Sequence, residues 1–191
     1  KSPDALLDTY AAERIPHVRT VIDFSMALGR VICVADPTEA AARDAAMIAA
    51  ARERPAPPPE TSHTIGPGVV LDGDPQEGRP FAQGRVRHAG ATGLFDDVVG
   101  RGWILLGATA DPATALDPSA AAFFASLGGV TAHVGTRAPV EDLDGVYGKW
   151  FEHTGTAAVL QRPDFYVFGT AARAADAGTL VTRLRQALAR G

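Results

Sequence analysis

The sequence predicts an α/β domain that is preceded by a segment made only of helices. Apolar residues recur at helical spacing through the first part of the chain. A proline-rich stretch at 55–59 then excludes helix, and from residue 84 onward short strand-like runs alternate with helical patterns. We therefore divide the chain into a helical segment (1–54), a linker (55–68) and an α/β domain (69–191).

The composition is that of a globular protein without a strong charge. Of the 191 residues, 46% are hydrophobic and 21% are charged, which is enough apolar material for a core. The 18 basic and 22 acidic residues give a net charge of -4. The chain therefore has no excess positive charge that would attract nucleic acid or an anionic membrane surface. The single cysteine, Cys33, excludes an internal disulfide and indicates the cytoplasm.

The helical segment is predicted to contain three helices. Residues 2–4 (Ser-Pro-Asp) are typical of a helix start, and the first helix runs to about Arg14. Pro16 would lose a backbone hydrogen bond inside a helix, so we expect a kink and a second helix there. The third helix covers residues 36–54. The second helix carries an apolar stripe that consists of Val18, Val21, Ile22, Leu28 and Ile32.

The α/β domain is predicted from strand-like and helical patterns in alternation. The predicted strands cover 84–88, 103–108 and 130–135, with two more on either side of a turn at 162–164. The predicted helices cover 94–99, 117–127, a stretch through 147–150, and 174–189. Asp117 as N-cap and Pro118 at the first helical position support the second of these helices. The element order is β-α-β-α-β-α-β-β-α.

This order predicts a thioredoxin-like fold, in which right-handed crossovers join the first strands and the last two strands form a hairpin. Redox activity in that fold needs two cysteines at C-x-x-C spacing after the central strand. Residues 109–112 (Thr-Ala-Asp-Pro) stand there instead, and Thr156 occupies the position that is usually a cis-proline. We therefore predict a domain without redox activity.

The remaining patterns favour structural roles over chemical ones. Two G-x-G fragments, at 66–68 and 100–102, lack the third glycine of a dinucleotide loop. Carboxylate clusters at 96–97 and 141–144 could supply an acid and a base, but such runs are more typical of solvated faces and helix starts. Tyr147 and Trp150 indicate helix packing. No metal-ligand spacing relates the histidines, which are His17, His63, His88, His133 and His153. The sequence thus predicts no catalytic, cofactor-binding or metal-ligating residue.

Residues 6–16 (LLDTYAAERIP) resemble the L-L-x-x-Y-x-x-E-R-x-P segment that closes the flavin domain of FAD-dependent aromatic-ring monooxygenases. Further segments are similar to the tail of the 3-(3-hydroxyphenyl)propionate hydroxylase branch of that family, namely 30–32, 36–37, 43–44, 78–86, 94–103 and 160–164. Phe165 stands where a glycine usually follows the Arg-Pro-Asp of the last segment. The resemblance covers nearly the whole chain.

The resemblance implies that the chain is the C-terminal part of a larger enzyme that hydroxylates a phenolic ring with FAD and NAD(P)H. In that family the tail has a thioredoxin-like fold without redox cysteines. The family's G-x-G-x-x-G and G-D motifs for FAD do not occur here, so we expect this chain to bind no cofactor. Its expected partners are the remainder of the flavin domain, which would cover the apolar stripe, and further copies in a homo-oligomer.

Two function classes therefore remain open. The chain is either an accessory packing and oligomerisation region of a flavin hydroxylase, or a free-standing thioredoxin-like scaffold that docks a partner. Coding sequence upstream of Lys1 that contains a G-x-G-x-x-G would distinguish them. An independent thiol redox enzyme is excluded, because one cysteine cannot form and resolve an internal disulfide.

Overall fold

The computed structural model describes residues 4–53 and 63–190, and therefore only the last part of the predicted linker. Its helices are α1 (Asp4–Ile32), α2 (Pro37–Glu53), α3 (Phe95–Val98), α4 (Pro118–Ser126), α5 (Val146–Thr154) and α6 (Ala177–Arg190), with short 3-10 turns at Pro112–Ala115 and Ala174–Asp176. Its strands are β1 (Arg85–His88), β2 (Ala91–Leu94), β3 (Ile104–Gly107), β4 (Val130–Gly135), β5 (Val140–Asp142), β6 (Ala158–Gln161) and β7 (Val167–Ala171).

The strands form one mixed sheet in the order β2-β1-β5-β4-β3-β6-β7. In its centre β3 and β4 are parallel, as are β4 and β5. On one side β6 is antiparallel to both β3 and β7, and on the other side β1 is antiparallel to both β5 and β2. All residues of β3 and β6 are buried, which explains why β3 is a continuous apolar run and why β6 is apolar up to its last residue, Gln161.

Helices cover both faces of this sheet. On one face Leu105 packs in a cluster with Phe124 of α4 and Leu184 of α6. On the other face Leu106 packs in a cluster with Phe95 of α3 and Tyr147 of α5. Because successive residues of a strand point to opposite faces, the single strand β3 contributes to both cores. The result is a three-layered α/β domain, and the α/β class that the sequence predicts is confirmed.

Side-chain caps fix the starts of two of these helices. The Asp117 carboxylate accepts a hydrogen bond from the amide of Ala120 at 2.8 Å, as the sequence predicts for α4. At the start of α5, the Asp142 carboxylate accepts from the amides of Tyr147 and Gly148, each at 3.0 Å. Such caps satisfy amides that have no partner within the helix.

Two short strands, β2 and β5, depart from the predicted element order. β2 follows β1 through the two-residue turn Ala89-Gly90, whose φ angles are 49° and 82°. Both positive φ angles are typical of a type I′ hairpin turn, but alanine is not a residue that signals one.

The direction of β1 also differs from the prediction. Because β3, β4 and β5 run parallel, β1 is antiparallel to β3, and no crossover between parallel strands joins these two.

The predicted break into two helices at Pro16 is wrong, because α1 continues through this residue. Pro16 has no N–H, so the carbonyl of Ala12, four residues earlier, receives no helical hydrogen bond from it. The Gly66 amide donates to the neighbouring Glu13 carbonyl at 2.9 Å. A Cβ atom at Gly66 would lie 2.6 Å from the Ala12 carbonyl oxygen, so only glycine fits there. The end of the predicted linker therefore packs against α1.

Candidate functional site

The buried charged residues of the described chain lie where α1 meets the α/β domain. Glu13 of α1 is 3% exposed and Arg162, which directly follows β6, is 8% exposed. With their neighbours Arg14 and Asp164 they form a group that we call the junction cluster. Burying charges is costly unless they are paired, so the contacts of these side chains determine what the cluster does.

Arg162 and Glu13 form a bidentate ion pair. Arg162 donates from Nη1 to Glu13 Oε1 at 2.8 Å and from Nη2 to Glu13 Oε2 at 2.6 Å. Arg162 Nη1 also donates to the Val69 carbonyl at 2.7 Å, and the Val69 amide donates to Glu13 Oε1 at 2.6 Å. Arg162 Nε and Nη2 donate to the two oxygens of Asp164, each at 3.0 Å. All three guanidinium nitrogens therefore have partners.

Arg14 completes the cluster at its more exposed edge. Its Nη2 donates to Asp164 Oδ2 at 2.5 Å, and both side chains are partly exposed, at 22% and 32%. Its guanidinium also lies over the Tyr166 ring, 4.8 Å from the ring centroid. Successive residues of α1 thus contact the same turn of the α/β domain, one in the interior and one at the surface.

The turn that positions Arg162 and Asp164 is closed by Phe165. Its amide donates to the Arg162 carbonyl at 3.0 Å, and its φ angle is 67°. This left-handed conformation favours glycine, the residue that the resemblance leads one to expect here. The turn is therefore retained with a phenylalanine, at a conformational cost of about 1–2 kcal/mol.

Arg162 keeps its positive charge in the fold. Burial by itself lowers the pKa of Arg162, because desolvation penalises the charged form. The hydrogen bonds and charges of Glu13 and Asp164 outweigh that effect, and the pKa of Arg162 is raised above its ordinary value. A guanidinium that stays charged does not transfer protons. The arrangement thus acts as an electrostatic contact between two parts of the fold.

The junction cluster was not predicted from the sequence, which assigns no site residue. Glu13 and Arg14 lie in the segment 6–16, and Arg162 and Asp164 lie in or at the end of the segment 160–164. Both segments carry the family resemblance described above. The sequence therefore offered one signal for the cluster, which was the presence of charged residues in both segments. Neither segment indicates by itself that the two are in contact.

Near the junction cluster, α1 presents an apolar face to solvent. Its exposed large apolar side chains are Leu7, Tyr10, Ile15, Val18, Val21, Ile22, Met26, Leu28, Val31 and Ile32, which include the whole predicted stripe. Part of this face forms an open groove of about 660 Å³ between Tyr10 and Ile22. α2 also has no buried residue. A run of exposed large apolar side chains along one helix is typical of an interaction surface.

The carboxylates at 141–144 are engaged in structural contacts. Glu141 pairs with Arg87 at 2.7 Å and Asp144 pairs with Arg85 at 2.8 Å, so both bind arginines of β1. Asp142 caps α5 as described above. The structural role that the sequence favoured for this cluster is consistent with these contacts, which hold β1, β5 and α5 together.

Histidine and cysteine form no metal site among the described residues, where no group of three or more ligating side chains comes together. His17 lies with its ring centroid 6.4 Å from that of His63 and 6.4 Å from that of Tyr166. Cys33 is exposed just after the end of α1.

Within residues 4–53 and 63–190, no helix combines the length and apolar character needed to cross a bilayer.

Three helix starts among the described residues are closed to the phosphates of FAD. A bound dinucleotide places its pyrophosphate on free backbone amides at a helix start. At the starts of α2, α4 and α5 these amides already bind carboxylates, those of Asp36, Asp117 and Asp142. No step of flavin chemistry is therefore assigned to this chain.

Tyr147 is a packed core residue, as the sequence indicates. It is 1% exposed, and its hydroxyl oxygen accepts a hydrogen bond from the Gly84 amide at 3.1 Å. Burial raises the pKa of Tyr147 to about 12, the Gly84 hydrogen bond opposes this shift, and the charges of Asp96 and Asp142 add to it.

Replacing Tyr147 with phenylalanine is expected to lower the free energy of unfolding at neutral pH by about 1 kcal/mol, because the Gly84 amide loses its partner. The pKa of Tyr147 in the fold, about 12, is above the value of about 10 for an unfolded tyrosine. The native contribution is therefore complete below pH 10 and is lost as the pH rises to about 12. Urea unfolding should show the difference between the two proteins shrinking above pH 10 and changing sign before about pH 12, because a pKa shift of about two units exceeds 1 kcal/mol. A constant difference would contradict the prediction.

Comparison with known protein families and sequences finds relatives among aromatic hydroxylases. The family described as the HcaD C-terminal domain matches residues 78–187. The chain is 36% identical over 192 residues to a probable NADH-specific resorcinol 4-hydroxylase of Rhodococcus jostii (strain RHA1), covering 98% of this chain and 36% of that protein. It is 30% identical over 213 residues to a 3-(3-hydroxy-phenyl)propionate/3-hydroxycinnamic acid hydroxylase of Burkholderia cenocepacia (strain HI2424), covering 96% and 38%.

Solved structures show the same relationship. An aklavinone-11 hydroxylase, solved in a ternary complex with FAD and aklavinone, superposes with a TM-score of 0.63 at 29% identity. The match covers 99% of this chain and 36% of that one. The chain thus spans little more than a third of the length of the relatives that it matches.

Proposed function

This chain belongs to the family of the HcaD C-terminal domain, and we propose that it is the C-terminal accessory region of an FAD- and NAD(P)H-dependent aromatic hydroxylase. The similarity to hydroxylases of resorcinol and of 3-(3-hydroxy-phenyl)propionate supports this proposal. The ring that the parent enzyme hydroxylates is then a phenol such as 3-(3-hydroxyphenyl)propionate. The accessory role consists of packing and oligomerisation, and it operates in the cytoplasm, the compartment that a single cysteine favours.

The junction cluster is the observation that carries the accessory role. It fixes α1, whose sequence resembles the end of a flavin domain, to the turn after β6 through the buried pair of Glu13 and Arg162. An α1 helix held in this way is part of one packed unit with the α/β domain. Any part of the parent protein that packs on the exposed side of α1 is therefore linked to the α/β domain through this helix.

The exposed apolar face of α1 is proposed to pack against the remainder of the parent protein. Most of the Rhodococcus relative lies outside the matched region, since the chain covers 36% of it. We propose that this additional part of the parent protein covers the exposed face of α1. Burying apolar surface stabilises a fold by about 25 cal/mol per Å². Homo-oligomerisation of the parent is the second contact that we propose.

For residues 69–191 we propose a thioredoxin-like fold that has lost its redox function. The parallel pair β3 and β4 with α4 between them, and the hairpin of β6 and β7 next to β3, support this assignment. At 109–112, where redox thioredoxins carry cysteines, the chain has none. The domain then stabilises the parent protein by burying surface and by making contacts with the rest of it.

Removing residues from Gly66 onward in the full-length parent tests the accessory role. We expect a lower thermal unfolding temperature or a changed subunit number, because the α/β domain acts through buried surface. Folded enzyme that remains should keep its flavin absorbance and hydroxylate at a comparable rate, since rate depends on groups at the reacting atoms.

Unchanged stability and assembly together with lost flavin reduction or hydroxylation would refute the proposal, because the chain would then hold a catalytic or gating residue. The alternative of a free-standing scaffold predicts that no flavin domain is encoded in frame. Calorimetry, light scattering and a hydroxylation assay on the same preparation separate these outcomes.

A further inference from the structure

An open groove of about 620 Å³ lies between the beginning of α1 and the α/β domain, and we call it the Trp103 groove. Helix α1 contributes Leu6, Leu7 and Tyr10 to its wall. The α/β domain contributes Trp103 just before β3, Leu127 directly after α4, and Leu188 near the end of α6. Both parts of the fold therefore build this groove, whereas the exposed face described above belongs to α1 alone.

The core beneath α4 and α6 is incompletely covered at the Trp103 groove. Four of its apolar side chains pack against the buried cluster of that core but are only partly buried themselves, namely Leu6, Trp103, Leu127 and Leu188. The other two, Leu7 and Tyr10, are each 69% exposed. Apolar side chains seated in the groove would thus extend a core that already exists, and their burial would stabilise the assembly.

The polar part of the wall offers no unpaired charge. Glu13, Arg162 and Asp164 border the groove, and their charged groups bind one another. The Val69 amide supplies a further hydrogen bond to Glu13. A charged group that entered the groove would lose water without gaining a countercharge from these residues. The groove therefore suits apolar side chains.

The Trp103 groove lies where the proposed parent protein connects to this chain. Leu6 and Leu7 belong to the beginning of α1, whose first described residue is Asp4. In the proposed parent the flavin domain precedes the chain, so the connecting stretch passes these side chains. About ten residues of extended chain span roughly 35 Å, which is enough to reach both walls. Tyr10 also lines the groove on the exposed face of α1, so the two surfaces are continuous.

We propose that the stretch of the parent chain that leads into α1 fills the Trp103 groove with large aliphatic or aromatic side chains. This inference rests on the function proposed above. It adds that the α/β domain contacts the preceding part of the parent directly, through Trp103, Leu127 and Leu188, and not only through α1. The domain is then fixed at two places, the junction cluster and the groove.

The reactivity of thiols placed on the two walls tests the inference. In a Cys33→Ser background, Leu7→Cys and Leu188→Cys are modified with N-ethylmaleimide in the chain and in the full-length parent, and peptide mass spectrometry measures each rate. Both thiols should react at least about tenfold more slowly in the parent, because a buried thiol reacts only when its contact opens. Thr182→Cys, at an exposed position of α6 outside the groove, should react equally fast in both proteins.

A photo-cross-linking residue at position 188 identifies what fills the groove. With p-benzoylphenylalanine in place of Leu188 in the full-length parent, we expect an adduct within the same polypeptide, on the stretch that adjoins residue 1. An adduct on a second subunit, an adduct elsewhere in the parent, or the lack of any adduct would overturn the inference. Leu7→Cys alters a side chain that is mostly exposed in the chain, so its reactivity remains informative if a change at Leu188 disturbs the fold.

Flavin absorbance and hydroxylation by the same full-length preparation separate this inference from the proposed function. A parent that binds FAD and hydroxylates a phenol, while Leu7→Cys and Leu188→Cys react as fast as in the chain, would overturn the inference alone. A full-length protein without flavin absorbance or hydroxylation would overturn the proposed function, and this inference with it.

Discussion

Replacing Arg162 with methionine is expected to lower the free energy of unfolding by about 3–5 kcal/mol, which is the usual effect of removing one partner from a buried ion pair. The physical reason is that Glu13, 3% exposed, would remain buried without its countercharge. The Val69 carbonyl and Asp164 would lose partners as well. Urea unfolding of the chain, followed by circular dichroism, measures the change.

A surface ion pair and a double variant serve as controls for this prediction. Arg87→Met removes an arginine from a pair whose side chains are 55% and 37% exposed, and it should cost less than about 1 kcal/mol. Combining Arg162→Met with Glu13→Leu should recover part of the loss, because neither charge is then left buried alone. If Arg162→Met cost no more than Arg87→Met, the junction cluster would not hold α1 to the domain.

The isolated chain is expected to self-associate through the exposed face of α1, and Val18→Glu with Ile22→Lys is expected to weaken that association more than tenfold. Val18 is 49% exposed and Ile22 is 51% exposed, so charged side chains at these positions remain solvated in the monomer. In a dimer they would have to be desolvated. The two new side chains stand four residues apart with opposite charges, which preserves the helix and the net charge.

Light scattering or sedimentation over a range of concentrations measures this effect. Thr182→Lys places a charge on an exposed position of α6 instead and should leave the association constant unchanged. A chain that is monomeric at all accessible concentrations would contradict the prediction. So would a double variant that associates as strongly as the unaltered chain.

Much of the α/β domain could be predicted because its signals are local. Asp117 and Pro118 mark the start of α4 through capping chemistry within three residues. The segment 103–108 is a short apolar run that contains β3, and 130–135 is a strand-like run that coincides with β4. β2 carried no such signal, because its turn uses alanine in a conformation that glycine or asparagine usually indicates.

The candidate sites could not be predicted in the same way, because their members are distant in sequence. Pro16 does lack a hydrogen-bond donor, yet α1 continues through it, and the turn before it contacts a segment fifty positions along the chain. The Gly66 amide donates to the Glu13 carbonyl in that turn. The Trp103 groove likewise combines Leu7, Trp103 and Leu188, which only the folded chain brings together.

By itself the sequence determined the α/β class, several helix and strand positions, and the resemblance to the tail of flavin hydroxylases. These follow from hydrophobic periodicity, capping residues and motifs, all of which act between close neighbours in the chain. Only the tertiary structure decided that Glu13 and Arg162, separated by 149 positions, form a buried pair. The free energy of such a pair depends on its removal from water, and the fold as a whole sets how far each charge is removed.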